Sequence, residues 1–234
     1  MKICRLIIFL LLIISTSSFA GTQLKSVIAV TGSIFNYVDK SPISVEIEVY
    51  DNVGKKVNST KSNAADNGYY YVTGLYSGNI YTFIIKDQQY LTESFEVSIP
   101  NSDKYVEISK DFLLKPNKAG TEIKLNINPF EYDKFKLKVG AATILSDVLN
   151  TVKNNSNKKF NIVCYPDSDQ DANENHKITE ARAKALVDFF ELNGIDGTTF
   201  TIQSNQKSDP KNPPPTEKRA KGKNYVGSIY LVVN

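Results

Sequence analysis

Short alternating runs of apolar and polar residues fill the first half of the chain, from residue 24 to about residue 116. Apolar side chains recur at every second position, and β-branched and aromatic residues are enriched, as is typical of strands with one buried face. Residues 51–54, 66–68 and 77–79 separate the runs and are rich in the Asp, Asn and Gly of turns. About seven short strands at this spacing predict an all-β sandwich.

The period of the pattern changes after residue 120. Strand-like alternation returns at residues 121–127, 160–164, 198–202 and 228–233, and two stretches between them have helical spacing. The first helix is predicted from the apolar positions Ala142, Leu145, Val148, Leu149 and Val152. A second helix is predicted from about Glu180 to Leu192, ended by Gly194, with a buried stripe made of Ile178, Ala181, Ala185, Leu186 and Phe189. The order β-α-β-α-β-β predicts a mixed-sheet α/β sandwich with its helices on one face, and an α+β two-domain chain overall.

The first twenty residues have the order of a secretory signal peptide. Lys2 and Arg5 precede an apolar run at residues 7–14, which ends in a small polar stretch closing at Ala20. That run is about half of the roughly 20 residues that a membrane-spanning helix needs, and no second long run follows. We therefore expect a soluble mature protein that begins at Gly21 and lies in the periplasm. Within the cell envelope it could associate peripherally with the outer membrane.

Breaks in both periods divide the mature chain. Pro116, Asn117 and Gly120 indicate a short linker. The predicted organisation is a signal peptide at 1–20, a sandwich at 21–116, a linker at 117–120 and the α/β domain at 121–234.

Net charge and cysteine content exclude some kinds of partner and bond but identify no specific partner. Without Lys2 and Arg5 the basic count falls from 28 to 26 against 25 acidic residues, so the mature net charge is about +1 and indicates no nucleic-acid partner. Only Cys164 remains, so no intrachain disulfide can form.

Three polar residues stand at fixed spacings around the start of the second helix. Asn175 follows Asp167 by eight residues, and Arg182 follows it by fifteen. These spacings resemble the OmpA-like peptidoglycan-binding family, whose Leu-Ser-x-x-Arg-Ala helix start is matched here with Ile178-Thr179 in place of Leu-Ser. Further similarity lies at residues 130–133 and 194–195. The resemblance covers about half of the chain.

The chemistry of these residues suits a clamp for an amino acid. With Thr179 as the expected N-cap, Arg182 would lie in the first helical turn and grip a carboxylate bidentately. Asp167 would take the ammonium of the same ligand, and Asn175 would order the loop. The family resemblance implies that the ligand is the free end of diaminopimelate in the peptidoglycan stem peptide.

Three departures from the family leave an alternative open. Residues 164–166 are Cys-Tyr-Pro where the family has Gly-His-Thr, Gln170 replaces a glycine, and residues 226–228 are Val-Gly-Ser where the family has Asn-Arg-Arg. The loss of those arginines removes positive charge near the site. The alternatives are an Asp167–Arg182 pair that is only structural, and a degenerate OmpA-like domain that binds another protein and not the wall.

The sandwich resembles the carboxypeptidase regulatory-like, transthyretin-related modules. The similarity is carried by residues 30–34, 45–50, 67–69 and 74–78. It implies a spacer or a surface for an envelope protein. Its tyrosines could also stack on sugars, but alternation puts Tyr69 and Tyr71 on one face and Tyr70 on the other, which favours ordinary strand packing.

Metal and catalytic sites find little support in the residues. Asp167, Asp169 and Asp171 alternate as in a calcium loop, but Ala172 and Ile178 stand where that loop needs Gly and Glu. A solvated acidic loop with an exposed His176 is the expected structure. Ser-x-x-Lys begins at residues 156, 204 and 208, as is expected by chance in a lysine-rich chain. Cys164 is expected to be a packed thiol. Residues 207–223 are expected to form a charged loop in solvent. We expect a non-enzymatic protein without metal or cofactor.

Overall fold

A computed structural model describes residues 27–169, 171–215 and 224–234 of the chain. The predicted signal peptide lies outside these residues, as do Gln170 and the basic residues Lys218, Arg219 and Lys221. The sandwich strands are β1 (Val27–Asn36), β2 (Glu46–Tyr50), β3 (Lys56–Lys61), β4 (Tyr69–Tyr76), β5 (Ile80–Ile85), β6 (Glu93–Ser98), β7 (Glu107–Ser109) and β8 (Phe112–Leu114). The C-terminal elements are β9 (Glu122–Lys124), α1 (Ala141–Asn154), β10 (Phe160–Cys164), α2 (Ala172–Leu192), β11 (Phe200–Ser204) and β12 (Ile229–Val233).

The N-terminal half is a β-sandwich of two four-stranded sheets. One has the order β4-β1-β7, with β8 also paired to β1, and the other has the order β3-β2-β5-β6. Alternation places the apolar side chains of both sheets in one core, where Tyr70 stacks on Phe112 at 5.6 Å and Phe95 stacks on Phe112 at 4.4 Å. The predicted sandwich is confirmed, with one strand more than the seven expected.

The C-terminal half is the predicted mixed-sheet α/β domain. Its sheet has the order β11-β10-β12-β9, in which β10 is parallel to β11 and antiparallel to β12. A parallel pair needs a crossover connection, which α2 supplies. The core between sheet and helices includes Leu145, Phe160, Leu186 and Leu231. The order β-α-β-α-β-β is confirmed.

The second helix differs from its prediction in start and in phase. It begins at Ala172, two turns before Glu180, and its buried face is made of Asn175, Thr179, Arg182, Ala183, Leu186 and Phe190. Of the predicted stripe only Leu186 is buried, while Ile178, Ala181, Ala185 and Phe189 are half-buried. The prediction failed because it counted only apolar residues as buried, and three of the six buried side chains are polar.

The two halves share a packed contact. Leu91 belongs to the loop before β6, yet its side chain is fully buried in the core of the C-terminal domain. Beside it, the amide of Asn155 joins the backbone of Thr92 through two hydrogen bonds of 2.9 Å. Glu93 pairs with Lys115 at 2.7 Å and accepts a hydrogen bond from Thr151 on α1. The sandwich is therefore held against α1.

Within the part of the chain that the structure describes, no helix has both the length and the hydrophobicity to span a bilayer.

Candidate functional site

Asp167 and Arg182 meet at the carboxyl end of β10. Asp167 lies in the loop that leaves this strand, and Arg182 lies in the third turn of α2, the crossover helix that packs on β10. The guanidinium donates two parallel hydrogen bonds to the carboxylate, Nη1 to Oδ1 at 2.6 Å and Nη2 to Oδ2 at 2.8 Å. This fork-to-fork geometry is the strong, directional form of an ion pair.

The pair is closed off from solvent. The side chain of Arg182 is 0% exposed and that of Asp167 is 7% exposed. A buried pair of this kind is tolerated only when the remaining donors and acceptors are also satisfied. The residues that satisfy them identify the rest of the site.

The segment before α1 lies directly over the guanidinium. Arg182 donates from Nε to the carbonyl of Lys134 at 2.8 Å and from Nη2 to the carbonyl of Glu131 at 3.1 Å. The N–H of Asp133 donates to Asp167 Oδ2 at 2.8 Å, and the ring of Phe130 lies 5.5 Å from Arg182 Cζ. Residues 130–134, which we name the cover segment, thus bind both members of the pair.

Gly227 supplies the fourth hydrogen bond to the carboxylate. Its N–H donates to Asp167 Oδ1 at 2.7 Å. A Cβ at this position would lie 2.0 Å from the carbonyl oxygen of Tyr165, so the close approach requires glycine. The segment that departs from the family in sequence therefore still contacts the aspartate, through its backbone.

Asn175 joins two loops beside the pair. Its side-chain amide donates to the carbonyl of Ser168 at 2.6 Å and to the carbonyl of Gln206 at 2.9 Å. It is buried, and it lies in the first turn of α2 and not in a loop. Asn175 therefore fixes the loop after β10 to the loop after β11.

The expected capping role of Thr179 is wrong. The cap of α2 is Asp171, whose side chain accepts hydrogen bonds from the N–H groups of Asn173 and Glu174. Thr179 is fully buried inside the helix, and its hydroxyl bonds to the carbonyl of Asn175 at 2.8 Å and to that of Asn205 at 3.2 Å. The free N–H groups of the helix start thus lie two turns before Arg182, so Arg182 is not in the first helical turn as expected.

The acidic loop uses its carboxylates for internal contacts. Asp169 accepts hydrogen bonds from the N–H and the hydroxyl of Ser208, at 2.5 and 2.8 Å, and Asp171 caps the helix. His176 is exposed as expected, but on α2 instead of in the loop. Among residues 27–169, 171–215 and 224–234 no group of three or more His, Cys, Asp or Glu is placed to hold a metal ion.

Cys164 is a packed thiol at the end of β10. It is fully buried in the core, and burial raises the pKa of the thiol to about 12. Such a thiol is protonated at neutral pH and is a poor nucleophile.

Several parts of the site were missed by sequence reasoning. The backbone donors of Asp133 and Gly227 and the carbonyls of Glu131 and Lys134 carry no side-chain signal. Phe130 and Asp133 were noticed only through the family motif. The outward side chains Tyr132 and Phe135, 44% and 50% exposed, flank this region and give it an apolar rim.

Comparison with known proteins supports a family for the C-terminal half. Residues 129–224 match the model of the OmpA family, and no curated protein matches the chain. In the solved structures the chain is similar to the Bacillus anthracis TIE protein, with 19% identity, a TM-score of 0.30 and 37% of this chain covered. That match spans only 16% of the length of the TIE protein.

Two further solved structures are similar over half of the chain. The peptidoglycan-associated lipoprotein from Burkholderia pseudomallei is 14% identical, with a TM-score of 0.36, 50% of this chain covered and 91% of the other. The OmpA-like domain of FopA1 from Francisella tularensis is 19% identical, with a TM-score of 0.34, 50% of this chain covered and 83% of the other. All of these scores are low, so the assignment rests on the family model. Residues 129–224, which hold the whole Asp167–Arg182 site except Gly227, are an OmpA-family domain.

Proposed function

We propose that this chain binds peptidoglycan non-covalently in the periplasm, as a non-enzymatic envelope protein, and that Asp167 and Arg182 hold the free end of a diaminopimelate residue. The observation that carries the proposal is the buried, bidentate Asp167–Arg182 pair inside an OmpA-family domain. The free end of diaminopimelate carries one ammonium and one carboxylate on the same carbon. Asp167 suits the first and the guanidinium of Arg182 the second.

The mutual pairing of Asp167 and Arg182 is compatible with such a clamp. An unpaired charge in a site with 0% exposure would cost several kcal/mol. Two residues that bind opposite charges avoid this cost by binding each other until the ligand arrives. The ligand then replaces one ion pair with two.

Ligand entry requires movement of the cover segment. Residues 131–134 give two carbonyl acceptors and one N–H donor to the pair, so they must lift away for a ligand to reach it. Opening the segment means breaking these three hydrogen bonds.

Exposed side chains of the cover segment and just after it give a ligand further contacts. Tyr132 and Phe135 present apolar surface, and Lys136 is an exposed cation on the same stretch, whereas Lys134 is paired with Glu131. A peptide with several carboxylates is attracted by an exposed cation.

A second candidate function is a protein-interaction module with a purely structural ion pair. The complete burial of Arg182 and the four hydrogen bonds to Asp167 favour it, because no part of the pair is open to a ligand in this state. In that case Asn175 and Thr179 serve only to join the loops around α2.

Co-sedimentation with purified diaminopimelate-type peptidoglycan tests the first function against the second. The proteins are the mature wild type, Asp167→Asn, Arg182→Lys and the control Glu93→Gln, each first shown to be folded by circular dichroism. Glu93 belongs to a comparably buried ion pair at the domain contact, so this control separates loss of a ligand group from loss of a buried charge.

We expect the wild type and Glu93→Gln to pellet, with free diaminopimelate competing. Asp167→Asn and Arg182→Lys should bind roughly tenfold to a hundredfold more weakly, because Asn carries no charge for the ammonium and Lys cannot form the bidentate fork. If the wild-type protein stays in the supernatant, the protein-interaction module is the remaining function. If a folded Asp167→Asn variant binds as strongly as the wild type, the binding site lies elsewhere on the domain.

Export to the periplasm has its own test. The first twenty residues are expected to direct secretion, with cleavage before Gly21. Cell fractionation followed by N-terminal sequencing should find the mature protein in the periplasmic fraction with Gly21 at its start. Full-length protein in the cytoplasm would contradict the assignment.

A further inference from the structure

Three exposed tyrosines form a cluster on the outer face of the β4-β1-β7 sheet. Tyr69 and Tyr71 project outward from β4 and are each 42% exposed, while Tyr70 between them is buried in the core. Tyr105, which precedes β7, is 59% exposed, and its hydroxyl donates to Glu107 on that strand. The alternation expected from sequence is therefore observed, but the outward tyrosines remain largely uncovered and are joined by a third from a distant segment.

A carboxylate organises the hydroxyl groups of this cluster. Glu107 on β7 accepts hydrogen bonds from the hydroxyl of Tyr105 at 3.4 Å and from that of Thr31 at 3.2 Å. Interaction with the neighbouring hydroxyl of Tyr71 is the main cause that raises the pKa of Tyr105 to about 12. We name Tyr69, Tyr71, Tyr105 and Glu107 the tyrosine face. Tyr69 and Tyr71 lie on β4 and Glu107 on β7, while Tyr105 lies just before β7.

The chemistry of the neighbouring positions favours a sugar over a protein partner. Ser33 lies opposite Tyr69 on β1, and Ser109 is an exposed residue of β7, so two positions near the rings carry hydroxyl groups, while the buried Thr31 opposite Tyr71 holds Glu107 in place. The centre of a protein interface is usually more apolar than this. Flat amphipathic rings interleaved with hydroxyls and one acceptor carboxylate suit the faces and the hydroxyl or amide edges of pyranose rings.

We propose that the tyrosine face binds a linear chain of N-acetylhexosamine units, as in the glycan strand of the wall polymer. The choice of this polymer rests on the proposed function of the OmpA-family domain, whereas the sugar chemistry rests on the face itself. Glu107 is its charged member, so a neutral chain with hydroxyl and amide donors complements it.

Two sites for one polymer would strengthen attachment. The OmpA-family domain would hold a stem peptide while the sandwich holds the glycan, and α1 holds the two domains together. Linked binding to one polymer makes the second contact intramolecular and raises the total affinity well above that of either site.

Calorimetric titration with chitohexaose tests the tyrosine face alone, because this neutral N-acetylglucosamine chain has no amino-acid end for Asp167 and Arg182. The proteins are the wild type, Tyr71→Ala, Tyr105→Ala, Tyr71→Phe, Asp167→Asn and the control Tyr50→Ala. Tyr50 is a matched control because its hydroxyl also donates to a carboxylate, that of Glu48 at 3.0 Å, on the other sheet.

We expect chitohexaose to bind the wild type, Tyr50→Ala and Asp167→Asn equally well. Tyr71→Ala and Tyr105→Ala should bind about three- to tenfold more weakly because each loses a stacking ring, and Tyr71→Phe should bind nearly as well as the wild type. Cellohexaose, which has no acetamido groups, should bind more weakly than chitohexaose.

The outcomes separate this inference from the proposed function. Two results would overturn the sugar site: no chitohexaose binding by the wild type, or equal binding by Tyr71→Ala, Tyr105→Ala and Tyr50→Ala. Either result would hold even if the protein still pellets with peptidoglycan through Asp167. Equal binding of cellohexaose and chitohexaose would overturn the N-acetylhexosamine assignment. Binding that survives Asp167→Asn but falls in Tyr71→Ala would support the site even if the clamp fails.

Discussion

Arg182 is a fully buried cation whose partners are all within the protein. Its guanidinium binds Asp167 and two backbone carbonyls, and Asp167 in turn accepts two backbone N–H groups. Removing one charge alone therefore leaves the other buried and unpaired. Removing both leaves a site that apolar side chains can fill.

The first prediction is a double-variant cycle at this pair. Arg182→Met and Asp167→Leu should each lower the free energy of unfolding by about 3–5 kcal/mol, and the combined variant should lose less than the sum of the two. Urea denaturation followed by circular dichroism measures all four proteins. Strict additivity in the combined variant would mean that the two charges do not stabilise each other.

The backbone partners of this pair show what a sequence cannot specify at the residue scale. The resemblance to the OmpA-like family, carried by the spacing of Asp167 and Arg182, implied that they belong together. The N–H groups of Asp133 and Gly227 come from segments that are 34 residues before and 60 residues after Asp167. Only the three-dimensional packing brings them to the carboxylate.

At the scale of elements, α2 begins where Asp171 caps it. The cap satisfies two N–H groups of the first turn, those of Asn173 and Glu174, at 2.9 and 3.1 Å. An acidic cap also interacts favourably with the positive end of the helix. The acidic loop thus ends in a helix start and not in a metal site.

The second prediction concerns this cap. Asp171→Ala should lower the free energy of unfolding by about 1 kcal/mol, whereas Asp171→Asn should change it by much less because Asn also caps well. Thermal and urea unfolding of the three proteins give the comparison. Equal stability of Asp171→Ala and the wild type would contradict the stabilising role of this cap.

The helix prediction failed for a physical reason that applies to many functional sites. Thr179 and Arg182 are polar, so a pattern of apolar positions assigns them to the solvent side. In the structure their hydrogen bonds to the loops at 131–134 and 205 make them part of the buried face. The apolar pattern predicted that a helix exists, but buried polar contacts set its phase.

At the scale of the whole molecule, the two domains share a buried contact. The sequence predicted two domains from a change of period, and each half has the predicted class of fold. It gave no sign that Leu91, from the sandwich half, would be buried in the core of the other domain. A single apolar residue in a loop has no periodic pattern that would identify its partner.

Glu93 at this contact is a buried carboxyl in an unfavourable environment. Its side chain is 4% exposed, and burial raises the pKa of the carboxyl more than the Lys115 ammonium, at 2.7 Å, lowers it. A carboxyl with a raised pKa binds its proton more tightly in the folded protein than in the unfolded chain. Its contribution to stability is present below the usual pKa near 4.5 and is lost as pH rises through the raised value.

The third prediction compares Glu93→Gln with the wild type between about pH 4 and about pH 8, a range that covers ordinary and raised carboxyl pKa values. The unfolding temperature of the wild type minus that of Glu93→Gln should fall as pH rises. Glu48→Gln is the control of opposite sign, because the hydrogen bond from Lys56 lowers the pKa of Glu48. For that variant the difference should grow only up to the usual carboxyl pKa near 4.5 and stay level above it, because the pKa of Glu48 is lowered. A Glu93 difference that also grows with pH would mean that Lys115 outweighs burial, and that the domain contact is a stabilising ion pair at neutral pH.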